Sequence, residues 1–381
     1  MTQPRVSVLV PTFNRVNYIG ECLDSLLAQS VPALEIIVID DGSEDGTADL
    51  LAGYVARHPT VRHLRKENGG KPTAVNLGIQ QAQGELIWIF DDDDVALPDA
   101  IETRLRTLAA APDAGFVYSP HYYGSDGPDG RIVQGRLHAV APHDPDSFFP
   151  RLMLGCFFHL ATALVKREVY LQLGGFDTQL LSSEDYDIQL RLARSCKAVL
   201  CPEPSFIFRQ HQGLRGAKAI RYAGTDRSKV FRRFDQRVGR KLRENLALGE
   251  YLAPACTTPL NARDQQAALL ARVQVMASKG CIPEMLEDLS AALALPGADL
   301  ATCAQMARKA VCTGYAWSAI EDDWGGLNAL LPAFKGLRGG RRMVRAMALG
   351  CLALAKGYPG SGAERFAKAR AALVLGLCSV L

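Results

Sequence analysis

Residues 85–90 read Glu-Leu-Ile-Trp-Ile-Phe and are followed directly by four aspartates, Asp91 to Asp94. An apolar run of this length predicts a buried strand of an α/β sheet, and the aspartates come at its carboxyl end, where open parallel sheets bind ligands. Because four adjacent carboxylates repel one another, they predict a site for Mg²⁺ or Mn²⁺, completed by phosphate oxygens of a substrate. The alternative is a solvated acidic loop that caps a helix beginning near Pro98.

The predicted strand is the fourth in a regular alternation of strand-like and helical patterns. Strands are predicted at Val6–Val10, Glu35–Ile39, Val61–Leu64 and Leu86–Phe90, and helices at Asn17–Gln29, Thr47–Ala56 and Pro72–Ala82. This spacing predicts a parallel sheet with helices on both faces. Polar segments follow every strand and therefore form one rim, at Pro11–Asn14, Asp40–Ser43, Lys66–Lys71 and Asp91–Asp94.

Length and composition limit the class of protein. A chain of 381 residues exceeds one ordinary domain, and 43 Lys plus Arg against 40 Asp plus Glu argues against general nucleic-acid binding. The 10 cysteines form no Cys-x-x-Cys pair, which favours a reduced compartment. The N-terminal residues contain no charged-then-apolar signal segment, so we expect a cytoplasmic protein.

The pattern changes twice along the chain. Residues 115–211 read as hairpin-like strands and a helix that complete the sheet, and the chain after about Arg221 is almost entirely helical. We therefore expect two domains, an α/β domain at residues 1–222 and a mostly α-helical domain at residues 223–381.

Two apolar segments occur in the predicted helical domain. The first, Ala346–Ala355, follows the basic stretch Arg338–Arg345, and the second closes the chain at Ala371–Leu381. Both are shorter than a membrane span, so we favour core helices of a small α domain. The alternative is a peripheral contact of these helices with the anionic inner face of the cell membrane.

Five short segments carry a further pattern. They are Val6–Arg15, Ile37–Ser43 with Asp45–Thr47, Asn68–Pro72 with Asn76, Phe90–Asp94, and Gly174–Asp177 followed by Glu184 and Asp185. In this order and spacing they resemble the family 2 inverting glycosyltransferases of the GT-A fold. The resemblance implies a nucleotide-sugar-binding α/β fold with a Rossmann-like mixed sheet flanked by helices.

The resemblance also implies a donor site on the rim. Asp41 would accept a hydrogen bond from the imide N–H of a uracil, and turn formation before Gly42 is its alternative role. Lys71, at the start of a helix, would approach the donor phosphates as a point charge, and a solvated surface lysine is the alternative. We therefore expect a UDP-linked donor. The residues that would flank its base are Pro11, Thr12, Phe13 and Asn14.

The metal site follows from the family's Asp-x-Asp pattern. It maps onto Asp91 and Asp93, which share a face in β geometry, and the overlapping pair Asp92 and Asp94 is the alternative register. With His211, the favoured pair would hold Mn²⁺ or Mg²⁺ against the donor phosphates and stabilise the leaving diphosphate. Asp91 and Asp92 are also expected among the nucleotide-binding residues. For His211, a hydrogen-bonded structural role is the alternative.

The family places its general base at the second acid of the pair Glu184 and Asp185. Asp185 would then deprotonate the acceptor hydroxyl as this attacks the anomeric carbon from the face opposite the diphosphate. The alternative is an aspartate that caps the following helix.

These expectations define a metal-dependent inverting glycosyltransferase. It would transfer a sugar to a hydroxyl of a saccharide or a lipid-linked acceptor, in the synthesis of cell-surface polysaccharide or glycoconjugate. One alternative is a nucleotidyltransferase, which requires a glycine-rich phosphate loop where this chain has Pro11 to Asn17. Another is a catalytically silent sugar-nucleotide-binding or scaffold protein, against which the retained Asp93 and Asp185 argue.

Overall fold

The structure is a computed structural model that describes residues 5–211, 227–253, 256, 258–313, 315–316, 319–320, 334 and 336–357. The chain divides into two compact units, which are residues 1–148 with 156–230, and residues 149–155 with 231–381. The predicted boundary after residue 222 and the apolar segment Ala371–Leu381 lie outside the described residues.

The strands of the first unit form two sheets. They are β1 (Val6–Thr12), β2 (Glu35–Asp40), β3 (Val61–Arg65), β4 (Leu86–Ile89), β5 (Val95–Ala96), β6 (Ala114–Tyr118), β7 (His121–Asp126), β8 (Ile132–His138), β9 (Leu164–Lys166), β10 (Lys197–Leu200) and β11 (Phe206–Arg209). The larger sheet has seven strands in the order β10-β6-β9-β4-β1-β2-β3, and the smaller has four in the order β5-β11-β7-β8.

Helices connect these strands and make up the rest of the described chain. Up to the end of the first unit they are α1 (Ile19–Leu27), α2 (Thr47–Arg57), α3 (Lys71–Gln81), α4 (Ala100–Ala110), α5 (Pro145–Leu154), α6 (Arg167–Gln172) and α7 (Glu184–Ser195). They continue as α8 (Arg227–Asn245), α9 (Ala262–Lys279), α10 (Ile282–Ala294), α11 (Leu300–Ala310) and α12 (Gly340–Gly357). The division between the units falls within α5 and near the start of α8.

The predicted alternation of four strands with three helices is confirmed. Strand β1 lies between β2 and β4 and pairs with both in parallel, as the sequence predicts. Strand β9 runs antiparallel to β4 and β6, which makes the sheet mixed. Every residue of β1 and β2 is buried, because helices cover both faces of the sheet.

The register of the central strands brings the rim together. Thr12 pairs with Asp40, and Leu9 pairs with Ile89, so the carboxyl ends of β1, β2 and β4 lie side by side. Strand β5 follows the four aspartates at once and pairs with β11 of the smaller sheet. The aspartates therefore form the connection between the two sheets.

The second unit is helical in its described part. Helix α9 packs against α10 and α11, and α11 packs against α12. None of the helices in the described residues is long and apolar enough to cross a membrane. The predicted apolar segment Ala346–Ala355 lies within α12, which buries Met343, Met347 and Cys351 along one side.

Candidate active site

The four aspartates have four different partners. Lys71 Nζ lies 2.8 Å from Asp91 Oδ1, and Arg15 Nε lies 3.4 Å from Asp92 Oδ1. His211 Nε2 is 2.8 Å from Asp93 Oδ2, and the backbone N–H of Arg209 donates to Asp94 Oδ1 at 2.8 Å. Asp91 and Asp93 thus meet a lysine and a histidine of the rim, and Asp94 joins the rim to β11.

Arg209 holds the segment of the four aspartates in place, a role that the sequence analysis does not predict. Its side chain is only 1% exposed, and it forms ion pairs with Glu21 and Asp126. Its Nε donates to the backbone carbonyl of Asp93 at 2.7 Å. A charged residue in the apolar run of β11 was the signal that could have identified it, because a buried arginine requires carboxylate and carbonyl partners.

Asp93 and His211 could supply part of the ligand set of a divalent cation. Across the described residues, no group of three or more His, Cys, Asp or Glu side chains forms a complete metal site. A carboxylate and an imidazole that already touch are nevertheless a suitable donor set, because Mg²⁺ and Mn²⁺ sites often use few protein ligands plus substrate phosphates. The Tyr18 ring lies 5.1 Å from the His211 ring and restricts its orientation.

Repulsion among the four aspartates affects the pKa of Asp92. The pKa of Asp92 is raised to about 7, chiefly by burial and also by repulsion from Asp93, although the Arg15 guanidinium lowers it. The site therefore has unfavourable negative charge, which a bound cation would relieve.

Lys71 connects two predicted functional carboxylates that are distant in sequence. Its Nζ lies 2.8 Å from Asp91 Oδ1 and 3.1 Å from Asp185 Oδ2. Burial alone would lower the pKa of Lys71, but Asp185 and Asp91 hold it well above its ordinary value. As predicted, Lys71 begins a helix, and Gly70 before it has a left-handed φ of 89°. Lys71 is thus a fixed positive charge at the centre of the rim.

Asp185 is the second residue of α7, and Ser183 precedes the helix as its N-cap. Its Oδ2 accepts from Lys71, whereas its buried Oδ1 receives no hydrogen bond from the residues that the structure describes. Burial and then repulsion from Asp185 raise the pKa of the adjacent Glu184 to about 8. Asp185 therefore has a buried carboxylate oxygen that can accept a proton or a hydrogen bond.

The predicted base-binding residues lie together at the ends of β1 and β2. The backbone N–H of Asp41 donates to the Thr12 carbonyl at 2.9 Å, which places Pro11, Thr12 and Phe13 beside Asp41. Asn14 has a left-handed φ of 56°, and its N–H donates to Ser43 Oγ at 2.9 Å. The two loops are therefore held in contact.

The carboxylate of Asp41 is already saturated. Oδ1 accepts from Lys66 Nζ at 2.6 Å and from the Gly69 N–H at 3.0 Å, and Oδ2 accepts from the Gly70 N–H at 2.7 Å and Asn68 Nδ2 at 3.1 Å. A carboxylate has about four acceptor positions. Asp41 thus anchors the loop that leads into Lys71.

His159 is a second residue that sequence reasoning missed. Its Nδ1 accepts from the Ala161 N–H at 3.2 Å, so its Nε2 carries the proton and lies 4.0 Å from Asp91 Oδ2. Burial lowers the pKa of His159 despite the attraction of Asp91 and Asp185. It lies in a loop without periodicity, and no sequence signal set it apart.

Asn76 joins α3 to the segment before α7. Its Oδ1 accepts from the Phe176 N–H at 2.7 Å, and its Nδ2 donates to the Phe176 carbonyl at 2.9 Å. A Cβ at Gly175, where φ is 73°, would collide with this amide. The glycine is therefore required for both its backbone conformation and this close approach.

Comparison with solved structures defines the class of fold. Residues 1–349 of S. aureus TarS, in complex with UDP-GlcNAc, align with a TM-score of 0.53 at 18% identity, covering 84% of this chain and 89% of that one. The mannosyltransferase PcManGT of Pyrobaculum calidifontis, in complex with GDP-Man and Mn²⁺, aligns with a TM-score of 0.50 at 21% identity, covering 92% and 87%. The chain has the GT-A fold of these proteins with a helical C-terminal region.

Sequence comparison then shows which family the N-terminal region resembles. Residues 7–173, which are less than half of the chain, match the family model described as Glycosyl transferase family 2. An uncharacterized glycosyltransferase of Rickettsia prowazekii is 30% identical over 201 residues, which are 50% of this chain and 59% of that protein. Chondroitin synthase of Pasteurella multocida is 31% identical over 190 residues, which are 50% of this chain and 19% of the synthase. The similarity thus spans less than two thirds of these relatives.

Proposed function

We propose that this protein is a metal-dependent inverting glycosyltransferase. It takes a sugar from a nucleotide-sugar donor, UDP-linked in our proposal, and transfers it to a hydroxyl of a saccharide or lipid-linked saccharide. The product belongs to cell-surface polysaccharide or glycoconjugate. The observation that carries the proposal is the buried Oδ1 of Asp185, which has no donor among the described residues and lies on the carboxylate held by Lys71. The match of residues 7–173 to the glycosyltransferase family model supports the reaction class.

The rim residues divide the reaction between them. Lys71 attracts the donor diphosphate, and Asp91, Asp93 and His211 would hold the cation. When bound, the cation supplies Lewis-acid stabilisation of the leaving diphosphate. Asp185 takes the proton from the acceptor hydroxyl during a single displacement with inversion, so the chain needs no nucleophile of its own.

Lys71 also suggests an order of events. It holds Asp91 and Asp185 at once, at 2.8 and 3.1 Å. A diphosphate that arrives with two negative charges competes with Asp185 for the ammonium group. Donor binding therefore weakens the ion pair on Asp185 and leaves that carboxylate free to accept the hydroxyl proton.

A uracil can bind the Asp41 carboxylate if it replaces one of the present hydrogen bonds. Two of the hydrogen bonds to this carboxylate come from backbone N–H groups, and two come from the side chains of Lys66 and Asn68. The side chains move more readily than the backbone. We propose that a uracil imide replaces one of them, while Pro11, Thr12, Phe13 and Asn14 flank the base.

A titration of UDP with and without Mn²⁺ tests the metal and nucleotide roles together. The native protein is expected to bind UDP at least about tenfold more tightly with Mn²⁺, and Asp93→Ala is expected to lose this difference. The control is Asp99→Ala, which removes the same charge at an exposed position. Equal UDP affinity of the native protein in both conditions would contradict the metal role.

We also propose a peripheral membrane contact through α12. One side of this helix exposes Arg341 and Arg345 and continues to Leu349 and Leu352, whose exposed fractions are 45% and 39%. Arg338, just before the helix, is exposed as well. A basic and apolar stripe of this kind complements an anionic lipid surface.

Vesicle co-sedimentation tests this contact. Each exposed arginine contributes on the order of 1 kcal/mol at low salt, so Arg341→Gln with Arg345→Gln is expected to weaken binding to vesicles of phosphatidylglycerol and phosphatidylcholine at least tenfold. Arg263→Gln with Arg308→Gln, on two other helices, is the matched control and should bind like the native protein. Binding that is lost equally in both variants would reduce the contact to a general charge effect.

A further inference from the structure

One face of the smaller sheet forms an aromatic surface. Residues of one parity on neighbouring strands point to the same side, which places His121 and Tyr123 of β7 with Phe206 and Phe208 of β11. The His121 ring stacks on the Phe206 ring at 5.2 Å, and the Tyr123 and Phe208 rings are 6.2 Å apart. His138 of β8 stacks on His121 at 4.7 Å. We call these five residues the ring surface.

The ring surface has a closed base and a partly open top. His121 and Phe206 are buried, whereas Tyr123, His138 and Phe208 are half-buried. The hydroxyl of Tyr123 lies 3.3 Å from His138 Nδ1, and the exposed guanidinium of Arg136 lies over the Tyr123 ring, 4.7 Å from its centroid. The accessible part therefore combines apolar rings with a hydroxyl and an imidazole at their edges and a guanidinium over one ring face.

His159 connects the ring surface to the catalytic rim. Its ring centroid lies 5.1 Å from Phe208 and 5.9 Å from His121. Its Nε2 faces Asp91, whose other oxygen contacts Lys71. His159 thus lies between the ring surface and the charged side chains near Asp185.

This composition matches a sugar ring. A pyranose presents C–H groups on its faces and hydroxyls around its edge, so it packs on aromatic rings and donates to or accepts from polar groups beside them. The donor's nucleotide is already assigned to the opposite part of the rim, at Asp41 and the ends of β1 and β2. We therefore assign the ring surface to the second substrate.

We propose that the ring surface binds a pyranose ring of the acceptor saccharide, that Tyr123 is the stacking residue, and that Arg136 turns from the Tyr123 ring to the edge of the bound sugar. This inference rests on the proposed glycosyltransferase function and assigns part of its acceptor site. Tyr123 and Arg136 position the acceptor and take no part in bond making. The positive charge of Arg136 favours an acceptor that carries a carboxylate.

Saturation-transfer NMR with two tetrasaccharides tests the proposal. The probes are neutral cellotetraose and anionic tetragalacturonate at millimolar concentrations, and we expect the native protein to bind the anionic one more tightly. Tyr123→Ala should weaken binding about tenfold, because stacking on one ring contributes roughly that factor. Tyr123→Phe, which keeps the ring, should stay within about twofold of the native affinity.

Tyr122→Ala is the matched control, since Tyr122 is the neighbouring residue on β7 and points to the opposite face of the sheet. Equal losses in Tyr122→Ala and Tyr123→Ala, or no binding of either tetrasaccharide to the native protein, would overturn the proposal. UDP affinity with Mn²⁺ is measured on the same variants. A loss of UDP affinity in Tyr123→Ala would assign the ring to the donor and would also overturn it. Tetrasaccharide binding without Mn²⁺-dependent UDP binding would instead refute the proposed function and keep the ring surface.

Discussion

Two groups of ion-paired side chains in this chain differ in how fully their carboxylates are satisfied. In the helical unit, Asp288 is 1% exposed and receives two arginines, with Arg272 Nη2 at 2.6 Å and Arg243 Nη2 at 3.1 Å. On the rim of the α/β unit, the single ammonium of Lys71 serves both Asp91 and Asp185. Asp288 is therefore paired with two guanidinium groups, whereas two carboxylates of the rim share one ammonium group.

The difference lies in whether the carboxylate oxygens are satisfied by other groups of the protein. Both oxygens of Asp288 accept from guanidinium groups, so the cost of burying the carboxylate is offset within the protein. On the rim, Asp185 Oδ1 has no donor among the described residues, and the pKa of Glu184 is raised to about 8 by burial and by Asp185. Such imbalance is typical of sites that bind a cation or move a proton.

The largest effect is expected when the balanced group is broken. Asp288→Ala leaves Arg243 and Arg272 without their shared buried carboxylate, which should lower the free energy of unfolding by about 3 kcal/mol or more. Chemical denaturation measures this. Glu287→Ala is the control, because Glu287 also contacts Arg243, at 2.9 Å, but is 60% exposed. That variant should lose less than about 1 kcal/mol. Similar losses in the free energy of unfolding for the two variants would show that the ion pairs of Asp288 stabilise the fold no more than an exposed ion pair does.

The next effect concerns turnover. Asp185→Asn keeps the shape of the side chain and removes the proton acceptor, so sugar transfer should fall about 10²-fold or more while UDP binding is retained. Asp187→Asn is the control within the same helical turn, since the Asp187 carboxylate pairs with Arg191 at 2.8 Å. It should reduce transfer far less. Near-native transfer by Asp185→Asn would refute the base assignment.

A third effect, which is small over any single pH unit, is a change in the pH dependence of stability. The pKa of Glu184 is about 8 in the folded protein and close to its ordinary value of 4.5 in the unfolded chain. The folded state therefore binds this proton more tightly, and the associated stability is complete below about pH 4.5 and lost as the pH rises through about 8. The slope reaches at most about 1.4 kcal/mol per pH unit. Glu184→Gln should flatten it.

Denaturation at several pH values between about 5 and 8 compares the two proteins. An equally steep loss of stability with pH in Glu184→Gln would assign the slope to other groups.

The sequence predicts the fold well where the pattern is local. The strands and helices up to Ile89 follow from hydrophobic periodicity, and Lys71 begins its helix where two glycines precede it. The rim itself is predictable because the carboxyl ends of parallel strands share an edge. The contact of Lys71 with Asp185 spans 114 residues and is not encoded in any local pattern.

Other features depend on tertiary packing alone. His159 belongs to a loop without periodicity, and only the fold brings its ring between Phe208 and Asp91. Asp41 reads as a nucleotide ligand in the sequence, and the structure adds four donors from the following loop. The roles of the site residues stay predictions, which the variants above test.

Helix α3 carries Lys71 at its first residue and Asn76 little more than one turn later. Asn76 holds the segment at Phe176 through two hydrogen bonds, and that segment leads to α7 and Asp185. Helix α3 therefore carries Lys71 and, through Asn76, also holds the segment that precedes Asp185. A shift of this helix would move the proposed phosphate-binding charge together with that segment, so the two proposed substrate sites share one structural support.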